Sequence, residues 1–311
     1  MLKFIFKRIG YLIITLFIVS FINFMLIRSI PGDPLGEMAR KLPEQSKVNF
    51  YAKYGLDKPI LVQYGIFIKN LVLEGDLGES LYYPGRKVSD IIKKFAPTSG
   101  RLGLQALTFG VLVGILMGII AALNRGKWPD YLIMFIAILG ISVPSFILAS
   151  LLQYFFTVKW KMFPPVGWKG FKYTVLPTLA LSFGSIAVYA RYMRANCLDV
   201  LGQDFMLTAK AKGVSKLSLI FKHLLRNALL PVITILAPQI AGVFVGAFVV
   251  ENIFSIPGLG KYLIISITNR DYTMIMGQTM LVTFLFVVSL VAVDILYGIV
   301  DPRIRVGGGK K

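Results

Sequence analysis

CLDVLGQDFMLTAKAKGVSKLSLIFKHLLRNALLP, from Cys197 to Pro231, interrupts an otherwise apolar chain with a basic, helix-prone segment. Phe205, Met206, Leu207, Ala209, Val214, Leu217, Ile220, Phe221, Leu224 and Leu225 recur at three- and four-residue spacing. That period predicts two short amphipathic helices broken at Gly213. A glycine at 213 admits the left-handed backbone or close approach that a sharp reversal needs. Lys210, Lys212, Lys216 and Lys222 flank the apolar edge. Such a helix either rests on lipid or fills the groove of a soluble partner.

The rest of the chain supplies the context. Hydrophobic residues make up 56% of its 311 residues, and the mean hydropathy is +0.72. A water-soluble domain of this size would not carry so much apolar surface, so the solvent is a bilayer. Runs of about 20 apolar residues, the length that crosses the hydrocarbon layer, occur at Ile9 to Ile27, Leu102 to Leu123, Tyr131 to Phe156, Thr174 to Ala190, Ala228 to Val250 and Thr279 to Val300. The expected fold is therefore all-α, a polytopic bundle of six transmembrane helices. Lys3, Lys7, Arg8, Arg125, Lys127 and the basic residues between Arg191 and Arg226 lie on one set of connections, together with Arg303, Arg305, Lys310 and Lys311. The bias of lysine and arginine towards the inner face then puts both termini in the cytoplasm.

Three parts are expected: 1–27, a short cytoplasmic N-terminus and first span; 28–100, an extracytoplasmic appendage; and 101–311, a core of five helices with a cytoplasmic loop at about 194–228. Within the appendage, Lys58 to Gly75 reads as an amphipathic helix with Ile60, Tyr64, Phe67 and Leu71 near one face, on the membrane surface or packed on the bundle. Gly110, Gly114 and Gly118 form a face without Cβ atoms, as do Gly242 and Gly246, and let a neighbouring helix approach closely. Pro144 and Pro238 each remove a helical hydrogen bond and are expected to kink their helices.

Several function classes drop out. The formal charge of +19 is divided between the two membrane faces with no basic patch interleaved with aromatics, so nucleic acid is not a partner. One cysteine, Cys197, and one histidine, His223, cannot make a disulfide framework or a multi-ligand His/Cys metal site. No GxxxxGK[ST] run exists; the nearest, Pro257-Gly-Leu-Gly-Lys261, lacks the first glycine and the hydroxyl residue. No nucleophile–base cluster is present, so the chain is not an enzyme by these signs. A single-chain secondary transporter of small polar solutes is the competing class. It calls for carboxylates at mid-depth or inverted repeats. Asp294 near one end of the last span is the only acid inside a span, and Glu251 at the end of the fifth is expected to be solvated. Asn23, Gln153 and Gln239 are polar residues within spans that either line a pathway or bond helix to helix.

The run from Val200 to Leu236 resembles the cytoplasmic coupling loop of membrane-spanning permease subunits of binding-protein-dependent ABC importers, in the dipeptide/oligopeptide/nickel branch. IPGDP (30–34), GDLGES (75–80), SVPSF (142–146), VVENIFSIPGLGKYL (249–263), RDY (270–272) and DILYGIVDPRIR (294–305) resemble the same branch in order along the chain. Two departures stand out. Leu207, Thr208 and Ala209 occupy the places of the general loop's Glu-Ala-Ala, and the branch's usual basic residue is Leu207 here. Leu230-Pro231 lies farther from the glycine than in the general pattern, at the peptide-branch position.

This resemblance implies a type I importer fold in a bacterial cytoplasmic (inner or plasma) membrane. It implies a second homologous permease, two cytoplasmic P-loop ATPases and an extracytoplasmic substrate-binding protein as partners. ATP and Mg would be bound by the ATPases, leaving no cofactor in this chain. Closure of the ATPases would push the loop between about Leu201 and Arg226. In that loop Gly213 would set the bend, Ala209 would permit close contact with Thr208 beside it, and Phe205, Leu217 and Phe221 would seat the apolar edge. Lys212 and His223 would meet acidic or backbone groups of the ATPase. Peptides are the expected cargo, with nickel, glutathione or another solute as alternatives within the family.

Overall fold

A computed structural model describes residues 2–29 and 44–300 of the chain. Helix dominates, and among the described residues the only extended pairing is an isolated antiparallel bridge between Glu79 and Lys87. In chain order the helices are α1 (Leu2–Arg28), α2 (Glu44–Tyr54), α3 (Ile60–Glu74), α4 (Val88–Leu123), α5 (Trp128–Ser142), α6 (Ser145–Lys159), α7 (Phe171–Leu201) and α8 (Asp204–Ala211). They continue with α9 (Lys216–Thr234), α10 (Leu236–Ile253), α11 (Gly260–Thr268) and α12 (Tyr272–Val300). Stretches of α1, α4, α7, α9 and α12 are long and apolar enough to cross a membrane, and α5 with α6 makes a sixth if that bent pair is one span.

The chain forms two compact units. One contains 99–257 and continues from Val288; the other contains Leu2–Thr98 and Gly258–Val287. The second unit thus takes in most of the segment expected as an appendage, up to Thr98, together with the first helix and residues 258–287.

In the first unit α5, α6, α9 and α10 all pack on α7. The glycine face of α4 meets α7 as expected: a Cβ at Gly110 would lie 2.7 Å from Ser185 Cβ, at Gly114 2.7 Å from Tyr189 Cβ, and at Gly118 2.6 Å from the Ala190 carbonyl oxygen. In lipid, where no hydrophobic drive separates helix from solvent, this backbone-to-backbone approach is what holds helices together. Gly242 does not repeat the device, since nothing lies within 4 Å of where its Cβ would be. The surroundings of Gly246, the side chain of Asp294 and the segments 30–34 and 301–305 lie outside the described residues.

Proline shapes two breaks. Val143 before Pro144 is extended (φ −92°, ψ 117°), as the proline ring requires of its predecessor, and α5 and α6 meet at 103°. The expected kink is a complete break of the third run. Pro238 acts differently. Its ring excludes helical continuation past the carbonyl four residues back, which belongs to Thr234, the last residue of α9. Ile235 (φ −80°, ψ −4°) separates α9 from α10, and Pro238 sits in the first turn of α10, where its missing N–H leaves no bond unmade. The fifth run, Ala228 to Val250, is therefore not one helix, and Ala228 belongs to a helix that begins at Lys216. Glu251, expected to be solvated, is fully buried.

In the second unit α3 spans Ile60–Glu74 and ends at Gly75 in the left-handed region (φ 63°), whose N–H reaches the Leu71 carbonyl. The amphipathic face of α3 packs on α1. Tyr64 is buried among Phe17, Phe21 and Phe24 at ring-centroid distances of 5.1–5.6 Å, and its hydroxyl pairs with Ser20 Oγ at 2.8 Å. Phe67 stacks beside Phe24, while Ile60 remains exposed.

Candidate functional site

The stretch from Gln203 to Leu225 forms a helical elbow, and local bonds explain its shape. Asp204 opens α8 at the end where the helix dipole favours negative charge. Thr208 Oγ1 donates back to the Asp204 carbonyl at 3.0 Å. At the other end Gly213 takes φ +75°, its N–H donating to Lys210 O at 3.0 Å and that of Val214 to Ala209 O at 3.2 Å. A left-handed residue closing a helix in this way costs a Cβ-bearing side chain about 1–2 kcal/mol and glycine nothing. Ser215 then caps α9, its Oγ accepting from Ser218 N at 3.4 Å. The break at Gly213 between two short helices is as the sequence spacing predicts.

The first turns of α9 include a π-helical stretch, Leu219–Leu224. Its wider winding brings residues five apart onto one side, and Leu219 and Leu224 are both buried. They join Met206, Ala209, Tyr189, Met193 and Cys197 in one apolar cluster. Met206 and Leu224 are 0% exposed, and each such burial is worth about 1.5–3 kcal/mol. The elbow is therefore anchored on α7.

Its outer edge is apolar as well. Phe205, Leu207, Leu217 and Phe221 are 42%, 60%, 69% and 66% exposed, and Lys210, Lys212, Lys216 and Lys222 are exposed around them. The structure brings Phe205, Thr208, Lys212, Gly213, Leu217 and Phe221 to the exposed side of the elbow. Two residues of the expected docking set are less exposed. Ala209 is buried in the chain's own cluster, where its small side chain lets α8 close on the Leu219–Leu224 stretch. His223 is half-buried, and its carbonyl accepts from Asn227 Nδ2 at 2.7 Å.

The polar residues within spans have assigned bonds in two cases. Gln153 Nε2 donates to the carbonyls of Pro165 (2.8 Å) and Ile253 (3.2 Å). Gln239 Oε1 accepts from Ser185 Oγ at 3.4 Å. Both tie helix to neighbour. Asn23 Nδ2 is buried and has no hydrogen-bond partner among the described residues.

An ion pair that the span boundaries conceal lies in the first unit. Asp130, in the first turn of α5 and 3% exposed, accepts from Arg194 Nε and Nη2 at 2.5 and 2.7 Å and from Gly126 N–H at 3.0 Å. The bidentate fork is the strong geometry for this pair. Asp130 and Arg194 fall just outside the apolar runs, so a search for acids inside spans passes over them.

In the second unit two of the quoted motifs meet. Asp271, fully buried, accepts from Ser80 Oγ, from Leu81 N at 3.0 Å and from Tyr82 N at 3.3 Å. It also caps the start of α12 through Met274 N at 3.1 Å. Asp76 Oδ1 takes Gly78 N–H at 2.8 Å, and Lys53 Nζ lies 3.4 Å from Asp76 and 3.1 Å from Glu79. Burial works to lower the Lys53 pKa, but Tyr54, Glu79 and Asp76 outweigh it and hold the ammonium above the ordinary lysine value. Burial pushes the Tyr54 phenol up, and its oxygen accepts from Glu79 N–H at 2.9 Å.

The model of the family described as binding-protein-dependent transport system inner membrane component matches residues 114–306, and that of the corresponding N-terminal region matches residues 1–83. The chain is 42% identical over 305 residues to the dipeptide transport system permease protein DppB of Bacillus subtilis, covering 98% of each. It is 41% identical over 307 residues to the oligopeptide transport system permease protein OppB of Haemophilus influenzae, covering 98% of this chain and 100% of that one. Among solved structures, a chain of the MetNI methionine ABC transporter in inward facing conformations aligns with a TM-score of 0.54 at 18% identity, over 68% of this chain and 96% of that chain. At that identity the likeness is one of fold, the transmembrane fold of type I ABC importers.

Proposed function

The chain belongs to the family of binding-protein-dependent transport system inner membrane components, a multi-pass membrane permease, and from that premise we propose that it forms half of the translocation pathway of an ATP-driven importer of di- or oligopeptides. The relatives named for dipeptide and oligopeptide transport support the cargo. A second, homologous permease supplies the other half, an extracytoplasmic binding protein delivers substrate, and two cytoplasmic P-loop ATPases bind and hydrolyse ATP with Mg. Both termini and the elbow at 203–225 face those ATPases in this reading.

The observation that carries it is the two-sided elbow. Met206, Leu219 and Leu224 fix it to α7, while Phe205, Leu207, Leu217 and Phe221 offer an apolar edge ringed by lysines. A ligand-driven movement reaches the spans only through a rigid element that differs in energy between two states, and an elbow anchored in the core provides one. Binding of peptide by itself cannot drive uphill import; the nucleotide-linked bias must enter at such a surface.

The experiment is a mild-detergent purification of the tagged chain from its native membranes, alongside a Leu217→Asp/Phe221→Asp variant. The wild type should bring down a homologous permease and P-loop ATPases. The variant should keep the permease and lose the ATPases. A wild-type chain that purifies alone, under conditions preserving other membrane complexes, would return the single-chain carrier to first place.

A further inference from the structure

The connection between α6 and α7, residues 160–170, is an ordered loop with two apolar sides. Its start is tightly wound: the Phe156 carbonyl accepts from Met162 N at 2.8 Å and Phe163 N at 3.3 Å, and the Phe155 carbonyl from Trp160 N at 2.9 Å. Farther on, Gly167 N–H donates to the Phe254 carbonyl at 2.9 Å, close in sequence to Pro165, whose carbonyl is held by Gln153. Phe156, Phe163 and Trp168 pack on the buried cluster that contains Leu176, Ala180 and Phe254. These bonds and contacts fix the inner side of the loop to the chain.

The outer side is apolar too, and basic. Trp160, Met162, Val166 and Phe171 are all exposed, Phe171 at 74%. A contiguous exposed apolar surface rimmed by charge marks a contact with another molecule or a membrane. Lys159, Lys161, Lys169 and Lys172 are exposed among these side chains, and none of the four forms an ion pair among the described residues. No aspartate or glutamate occurs anywhere from Tyr131 to Leu198, so the neighbouring sequence offers these cations no counter-ion. Lys159 Nζ lies 5.7 Å from the centre of the Phe155 ring, and Trp160 stands edge-on to Phe156 at 4.8 Å.

The depth of this surface follows from α7. Lys172 lies in the first turn of α7, Arg191 lies farther along it, both are exposed, and no charged residue separates them. At ~1.5 Å per residue the helix rises about 28 Å between the two, close to the roughly 30 Å of hydrocarbon in a bilayer. The two cations thus mark the two edges of the apolar layer, and the loop that leads into Lys172 lies at headgroup level, where tryptophan is favoured. A soluble acidic protein would pair with the lysines but would not reach apolar side chains at the depth of Phe171. We propose that residues 159–172 form a binding surface for anionic phospholipid. Trp160, Met162, Val166 and Phe171 enter the top of the acyl layer, and the four lysines hold headgroups that carry a net negative charge, as phosphatidylglycerol does.

The test is tryptophan quenching in the full-length chain, reconstituted into vesicles of equal parts phosphatidylglycerol and phosphatidylcholine. A nitroxide quencher is carried just below the headgroup of one lipid or of the other, and the quenching that Trp160→Phe removes is the share of that side chain. This share should report phosphatidylglycerol enriched about fivefold over phosphatidylcholine, the factor that one lysine near an anionic surface contributes. Moving the nitroxide to the end of the acyl chain should weaken the quenching of Trp160 severalfold. The variant Lys159→Gln/Lys161→Gln/Lys169→Gln/Lys172→Gln changes only exposed side chains; it should leave Trp160 quenched while the preference falls to about one. Equal quenching by the two lipids in the wild type, or an undiminished preference in the glutamine variant, would overturn the anionic site. A Trp160 that neither lipid quenches would overturn the membrane contact and give the surface to a protein partner.

Discussion

Arg194 and Asp130 are 64 residues apart in sequence yet form a two-pronged ion pair at 2.5 and 2.7 Å, with the carboxylate almost entirely out of solvent. The pair fixes the first turn of α5 to α7. Removing Arg194 leaves the buried Asp130 carboxylate without its counter-ion, which costs up to about 3–5 kcal/mol. Removing Asp130 costs less because Arg194 keeps 27% of its side chain exposed, and replacing both by apolar residues of similar size is close to neutral. Arg194→Ala should lower the thermal unfolding temperature of the purified chain sharply, and Asp130→Ala should lower it less. The double variant Asp130→Leu/Arg194→Met should recover most of that loss. Additive losses in the double variant would mean that the two side chains act separately.

The glycines of α4 and α10 make contrary demands. Gly114 has Tyr189 Cβ and the Ile186 carbonyl within 2.8 Å of its missing Cβ, and Gly242 has nothing within 4 Å. Gly114→Ala should therefore force α4 away from α7 and destabilise the chain by about 1–3 kcal/mol, the usual range for overpacking. Gly242→Ala should be neutral or stabilising by up to about 1 kcal/mol in the isolated chain, from helix propensity. Both are read by thermal unfolding in one detergent. A loss of the isolated chain's stability in Gly242→Ala would indicate a contact within this chain that the structure lacks.

These two glycines also show where sequence reading reaches its limit. Three glycines at four-residue spacing define a face on any helix, and the period alone located the α4 surface that meets α7. The same period in Gly242 and Gly246 says nothing about whether a neighbour is present. The elbow was legible because Gly213 is both the break in an amphipathic pattern and the one residue suited to φ +75°. Which of its apolar residues turn inward was not, since the π-helical winding of Leu219–Leu224 shifts the inward face away from the 3.6-residue period. Ala209 is buried as a result of that packing. The Ser80–Asp271 contact was hidden for another reason: 191 residues separate the partners, and no local pattern reports a pairing at that distance.

Asp271 gathers two segments on one carboxylate. Ser80 Oγ and the N–H groups of Leu81, Tyr82 and Met274 all donate to it. Asparagine at 271 keeps one acceptor oxygen and turns a donor towards groups that are themselves donors, so buried N–H groups go unsatisfied at about 1–3 kcal/mol each. Asp271→Asn should open the 80–87 segment first. Limited proteolysis should show new cleavage near Tyr82 and Tyr83 at temperatures where the wild type resists. Ser80→Ala, which deletes one of the donors, should show a smaller effect. Equal protection of wild type and Asp271→Asn would mean that the segment is held by other contacts.

Gly213 separates the geometry of the elbow from its apolar edge. No atom lies within 4 Å of where its Cβ would be, so a substitution there acts only through the backbone. Asparagine visits the left-handed region readily and valine does not. Gly213→Asn should therefore behave nearly as the wild type, while Gly213→Val should strain the bend by about 1–2 kcal/mol and turn Met206 and Ala209 of α8 away from the cluster they share with Leu219 and Leu224. Membrane insertion, measured as yield of folded chain, should be the same for both. In the importer proposed here, reconstituted with its ATPases and binding protein, ATP hydrolysis stimulated by peptide should fall severalfold only in the valine variant. Full activity with valine at 213 would show that the left-handed bend is dispensable and that coupling does not pass through this elbow.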